Sequence, residues 1–93
     1  MANPELLTQS IVSGVCRAEC LVSSLVARGA DVVSVSLKNG RPVIRINRCS
    51  FTEHMINTGK ASYFMWGSSG NGKYKQGMFI QDGCKVVWSE SIH

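Results

Sequence analysis

Two Asx-Gly pairs, Asn39-Gly40 and Asp82-Gly83, each sit between runs rich in β-branched and aromatic residues. A type I′ turn needs positive φ at both central residues, which Asn, Asp and Gly adopt at low cost, so each pair predicts a two-residue hairpin. Such a turn fixes register. Around Asn39-Gly40 it sets Lys38 against Arg41, Leu37 against Pro42, Val35 against Ile44 and Val33 against Ile46. These apolar residues share one face, an internal check on the register. The other face carries Ser34, Ser36 and Lys38 opposite Arg41, Val43 and Arg45, and the two cations beside the turn cost a little stability. Pro42 suits an edge strand or a strand start. Around Asp82-Gly83 the same rule sets Phe79 against Val86 and Gly77 against Trp88, an aromatic beside a glycine.

The chain before the first hairpin predicts a helix. Asn3 is placed to cap it, Pro4 suits the first helical position and Gly29 suits the C-terminal cap. At about 100° per residue, Leu7, Ile11, Val15, Ala18, Val22 and Leu25 gather on one stripe, widened by Leu21 and Val26, that predicts the face packed on the rest of the domain. The opposite face holds Gln9, Ser13, Cys16, Cys20, Ser23 and Ala27, with Val12 at its edge. A solvated helix face usually carries Lys and Glu. This one is small and neutral, so it predicts a homodimer or partner contact, against the plainer reading of a Ser-rich exposed face. Cys16 and Cys20 lie one turn apart, where a disulfide would constrain nothing.

After the first hairpin, CSFTEHMINTGK predicts a short helix. Ser50 and Glu53 have capping-box spacing, Phe51, Met55 and Ile56 form its apolar side, and Gly59 ends it. KASYFMW, YKQGMFI and CKVVWSE then read as a three-stranded meander. The order is helix, hairpin, short helix, meander. It predicts one α+β domain over residues 1–93, with the N-terminal helix packed on an antiparallel sheet.

GSSGNGK, residues 67–73, fits the phosphate-loop spacing G-x-x-x-x-G-K but lacks its setting. A phosphate loop needs a helix behind it and a small hydroxyl to hold magnesium. Here Tyr74 follows, then a glycine-containing run of strand character. The stretch reads instead as a mobile connection between Trp66 and Tyr74, ending in Lys73 and Lys75, and no cofactor is expected. Carboxylates are too sparse for a general acid/base pair. Nothing places His54 or His93 beside Cys16, Cys20, Cys49 or Cys84 for nucleophilic chemistry, and the cysteine spacing matches no zinc pattern. A non-enzyme without a bound metal is expected. No apolar run reads as membrane-spanning and no signal peptide is visible, which predicts a soluble cytoplasmic protein.

The formal charge of +4 is unevenly placed. Residues 38–85 hold Lys38, Arg41, Arg45, Arg48, Lys60, Lys73, Lys75 and Lys85 against Glu53 and Asp82 alone. This suits an acidic partner, either a protein surface or nucleic acid. The size, the helix-plus-meander layout and the closing GCKVVWSESIH resemble the small accessory proteins of enterobacterial phages and phage satellites. Among those are derepression proteins (antirepressors), which bind a helper phage repressor, and anti-defence inhibitors. The resemblance spans the whole chain and implies inhibition by stoichiometric binding to a protein, with no functional residue carried over. The alternative is a small basic nucleic-acid-binding protein, suggested by cations interleaved with Tyr63, Trp66 and Tyr74. The nearly neutral helix argues against it, since it makes a poor recognition helix. Candidate contact residues are Val12, Cys16, Cys20 and Ser23 on the helix, Arg41 and Arg45 on the hairpin, and Trp66, Lys73, Tyr74 and Lys75 around the glycine loop.

Overall fold

The computed structural model describes residues 4–92, with side chains from residue 8 onward. Asn3, the side chain of Leu7 and His93 lie outside the described residues. The elements are α1 (Pro4–Ala27), β1 (Val32–Lys38), β2 (Arg41–Ile46), α2 (Ser50–Asn57), β3 (Ser62–Ser69), β4 (Gly72–Gln81) and β5 (Cys84–Ser91). The strands form one five-stranded sheet in the order β1-β2-β5-β4-β3. The α+β class and the hairpin-plus-meander plan therefore stand, but the sheet is mixed rather than antiparallel. β5 docks on β2 in parallel, pairing Val43 with Lys85, Ile44 with Val86 and Arg45 with Val87. A parallel neighbour needs a long connection, and α2 with the β3–β4 hairpin supplies it.

Both Asx-Gly turns form, with positive φ at Asn39, Gly40, Asp82 and Gly83. Lys38 pairs with Arg41, Leu37 with Pro42 and Val35 with Ile44 as the turn requires. The predicted Val33–Ile46 pair is replaced by Val32–Ile46, because a β-bulge intervenes between Val32 and Ser34. Phe79 pairs with Val86 and Gly77 with Trp88. The Trp88 ring lies directly on Gly77: a Cβ there would stand 2.3 Å from a ring carbon.

α1 packs over β1, β2 and β5. Gly29 closes it in the left-handed region, and the Ala30 N–H reaches back to the Leu25 carbonyl. Its buried stripe is Gly14, Ala18, Leu21 and Leu25, rotated from the predicted one. Ile11 and Val15, expected inside, are 43% and 51% exposed. Gly14 accounts for the rotation. A Cβ there would lie 3.0 Å from the Gly40 carbonyl oxygen and 3.2 Å from Leu37 Cδ2, so the bare backbone lets the helix settle onto the β1–β2 turn. A glycine inside a helix costs about 1 kcal/mol relative to alanine, which the close approach offsets. The stretch Thr8–Ala27 is also long and apolar enough, by length and composition, to cross a membrane, contrary to the sequence expectation. It carries Arg17 and Glu19 midway and lays Leu21 and Leu25 on the sheet.

α2 starts one residue earlier than its predicted capping box. Cys49 is the N-cap, and the buried Thr52 hydroxyl accepts from the Cys49 N–H (3.0 Å) while donating to its carbonyl (2.7 Å). Glu53 pairs instead with Arg48. GSSGNGK is not a loop. Gly67 pairs with Tyr74, Ser68 with Lys73 and Ser69 with Gly72, so only Gly70 and Asn71 turn. The element that follows is β4, with no helix to face a phosphate.

Candidate binding faces

Both helices pack against one face of the sheet, and the opposite face is open. Strand alternation decides what that face presents. From the paired positions it receives Lys38 of β1, Arg41, Val43 and Arg45 of β2, Lys85 and Val87 of β5 and Gln76 of β4, and the β-bulge of β3 adds Phe64. Together with Asn39 these line a shallow concavity of about 580 Å³. Four of its lining residues are cations and none is a carboxylate. Val87 is buried in its floor, while Phe64, Met65 and Ile80 stand exposed around it. The Lys85 ammonium sits 4.9 Å from the centre of the Phe64 ring. Gln76 donates to the Ser89 hydroxyl at 3.0 Å.

The covered side differs where the β3–β4 hairpin runs out beyond the helices. Glu90, with a side chain only 9% exposed, accepts from the Tyr63 hydroxyl and from Trp88 Nε1, each at 2.9 Å, through the same oxygen. Its other oxygen lies 3.6 Å from Arg48 Nε and 4.0 Å from Lys75 Nζ. Lys75 also sits 4.0 Å above the Tyr63 ring, and the exposed Trp66 ring is 6.4 Å from Tyr63.

The sequence candidates thus separate onto three surfaces. Arg41 and Arg45 belong to the open face. Tyr74 covers Gly67 and is half-buried, so its ring is spent on the hairpin. Trp66 and Lys75 belong to the covered side, around Glu90. Lys73 is exposed, and its carbonyl accepts from the Ile92 N–H at 2.9 Å. Of the expected interleaving, Lys75, Tyr63 and Trp66 do come together on one surface, whereas Tyr74 turns to the other, because alternate residues of a strand face opposite ways. Val12, Cys16, Cys20 and Ser23 are all exposed on α1, far round the helix from its buried stripe. Lys85 and Phe64 were absent from the sequence candidates. The register at Asp82-Gly83 already placed Lys85 on the face opposite Val86. What brings it beside Arg45 is the parallel β2–β5 contact.

Burial, and then the hydrogen bond to Glu90 with its negative charge, push the Tyr63 phenol above the ordinary tyrosine value. A raised folded value favours the neutral phenol in the fold. Its contribution is complete below about pH 10 and is lost as pH rises through the folded value. Tyrosinate absorbance of the native protein is therefore expected to contain a late-ionising component that Tyr63→Phe removes. Stability above about pH 10 should fall less steeply in that variant.

A protein-family model described as "Uncharacterised protein" matches residues 1–91. The chain belongs to that family. No curated protein and no solved structure matches the chain. Among the described residues no group of three or more His, Cys, Asp or Glu is arranged to hold a metal ion. Of the cysteines, Cys16 and Cys20 are exposed on α1, Cys49 is half-buried at the start of α2 and Cys84 is fully buried. Burial pushes the Cys84 thiol up, away from the thiolate a nucleophile needs. The open face itself presents four cations around an aliphatic floor.

Proposed function

We propose that the chain is a non-catalytic binding protein whose open sheet face docks an acidic protein partner. The observation that carries this reading is the make-up of that face, where Lys38, Arg41, Arg45 and Lys85 surround Val43 and Val87 with no carboxylate among the lining residues. Cations alone would suit any polyanion. The aliphatic floor separates the partner classes. Single-stranded nucleic acid is held by bases stacked on flat aromatic rings. The face offers one such exposed ring, Phe64, and the Lys85 ammonium already sits over it. Valine, Met65 and Ile80 instead suit apolar side chains delivered between carboxylates. Occupation of a partner's surface is the mode of action of the small phage inhibitors that the chain resembles.

The test pairs two probes. One is a synthetic peptide alternating Asp or Glu with Leu; the other is labelled DNA, duplex and single-stranded. The peptide is expected to shift the amide resonances of Val43, Lys85 and Val87, and Arg41→Glu with Arg45→Glu should abolish the shifts. DNA is expected to bind weakly. Submicromolar DNA binding at about 50 mM salt that collapses at about 200 mM, and is lost in the Arg41→Ala/Arg45→Ala double variant, would replace the protein reading with the nucleic-acid one.

A further inference from the structure

β1 is an edge strand, paired on one side only, with β2. Lys38 and Arg41 close the two-residue turn, and hydrogen-bonded positions alternate from there. The N–H and C=O groups of Leu37 and Val35 consequently point away from β2, up to the bulge at Val33 where the alternation is broken. Edge strands are usually blunted by charge, proline or short length. Between the bulge and Lys38, β1 reads Ser34-Val35-Ser36-Leu37, with neither charge nor proline. Beside it lies a largely apolar groove of about 380 Å³, in which Val35 and Leu37 face Val15, Ala18 and Val22 of α1, with Glu19 and Ser23 also lining it. Val35 is 47% and Val15 51% exposed, and only 22% of the apolar stretch Thr8–Ala27 is buried.

We propose that a second copy of this chain covers this edge, through antiparallel β1–β1 pairing about a twofold axis at Val35. Water can satisfy free ladder groups one by one, but another strand edge covers the whole row while burying the apolar groove beside it. Among the described residues the chain offers two such edges, β1 and β3. A β1–β3 contact between copies would be head-to-tail and would propagate, whereas β1–β1 closes as a dimer. The self-register is also compatible in charge. Val35 meets Val35, so the outward groups of the two copies find each other on the axis, and Leu37 comes level with Val33 of the second copy. On the open side Ser34 meets Ser36. Lys38 comes level with Val32 of the second copy, beside its Asp31, so opposite charges meet at each end of the pair. On the helix side the twofold brings the two grooves, with their Val15 and Val22 flanks, against one another. Cys16 and Cys20 do not line the groove, so they lie outside this contact.

Sedimentation equilibrium across the micromolar range tests the idea, with hydrogen exchange read at Val35 and Leu37. Wild type is expected to be dimeric, with both amides protected. Val35→Lys sets two cations face to face on the axis. It should raise the dissociation constant about 100-fold or more and release the Leu37 amide, with the melt still cooperative. Val15→Glu, on the exposed helix flank, should also weaken the dimer and serves if Val35→Lys does not fold. Cys20→Arg should leave the dimer intact. A wild type that stays monomeric overturns the proposal, including one that instead co-sediments with phosphatidylserine vesicles. So does a dimer that Cys20→Arg breaks and Val35→Lys spares.

Discussion

Gly77→Ala is expected to lower the melting temperature by about 10 °C or more, and Gly77→Val to abolish cooperative unfolding. The added Cβ would stand 2.3 and 2.6 Å from two atoms of the Trp88 indole. Those distances are far inside contact, so the ring or the strand must move. The ring has nowhere to go. Trp88 is fully buried, shares the core with Ile44, Ile46, Val86 and Phe79, and donates its N–H to Glu90. Overpacking of this kind costs about 1–3 kcal/mol, and about 2 kcal/mol moves the midpoint of a domain this size by roughly 8–16 °C. Gly67 is the built-in comparison, since a Cβ there would meet the Tyr74 ring at 2.6 Å. Tyr74 is only half-buried, near the end of the hairpin, and is free to swing outward. Gly67→Ala should therefore cost clearly less. In the double variant Gly77→Ala/Trp88→Leu the two losses should be less than additive, because the smaller side chain removes the clash. Equal costs at Gly67 and Gly77, or strict additivity in the double variant, would show that the indole is not what Gly77 accommodates. Calorimetric melts of the variants measure both.

The Gly77–Trp88 contact was legible in the sequence because a two-residue turn leaves no freedom of register. The same logic placed Val35 against Ile44 and would have found Lys85 on the open face. Local rules stopped at the contact between the two hairpins. Val43 and Val87 offer the same apolar surface to any neighbour, and nothing along the chain says that β5 docks on β2 in parallel. That one contact collects Arg45 and Lys85 into a single basic face. The helix failed for a different reason. Its apolar arc, from Leu21 round to Val12, is wider than the sheet can cover, so periodicity alone could not say which part is buried. Gly14 decides it, through a contact with Gly40 distant in sequence. Glycines also misled at GSSGNGK, where composition suggested a mobile loop. Most of that segment is ladder, held by the Tyr74 ring over Gly67.

Glu90 is the second position where a single change should have a large effect, and the size should depend on what replaces it. One of its oxygens accepts from both Tyr63 and Trp88, while the other faces Arg48 and Lys75. Glu90→Ala leaves the indole N–H of a fully buried tryptophan without an acceptor. It also removes the carboxylate that lies beside Lys75. Leaving a buried donor unmade costs about 1–3 kcal/mol, and losing the partner of charged groups adds to it, so a total of about 3 kcal/mol is expected. Glu90→Gln separates the two contributions. Its carbonyl oxygen can still accept from both Tyr63 and Trp88, but its amide turns donors toward two cations. It should retain the packing of Trp88 and lose only the charge-dependent part, about 1 kcal/mol, since Arg48 is half exposed and screened. Salt distinguishes them further. The difference between wild type and Glu90→Gln should shrink as ionic strength rises, whereas the deficit of Glu90→Ala should largely persist. Chemical denaturation of the three proteins at low and high salt reads all of this. If Gln and Ala cost the same, the carboxylate holds the hairpin by charge alone, and the indole N–H does not depend on it.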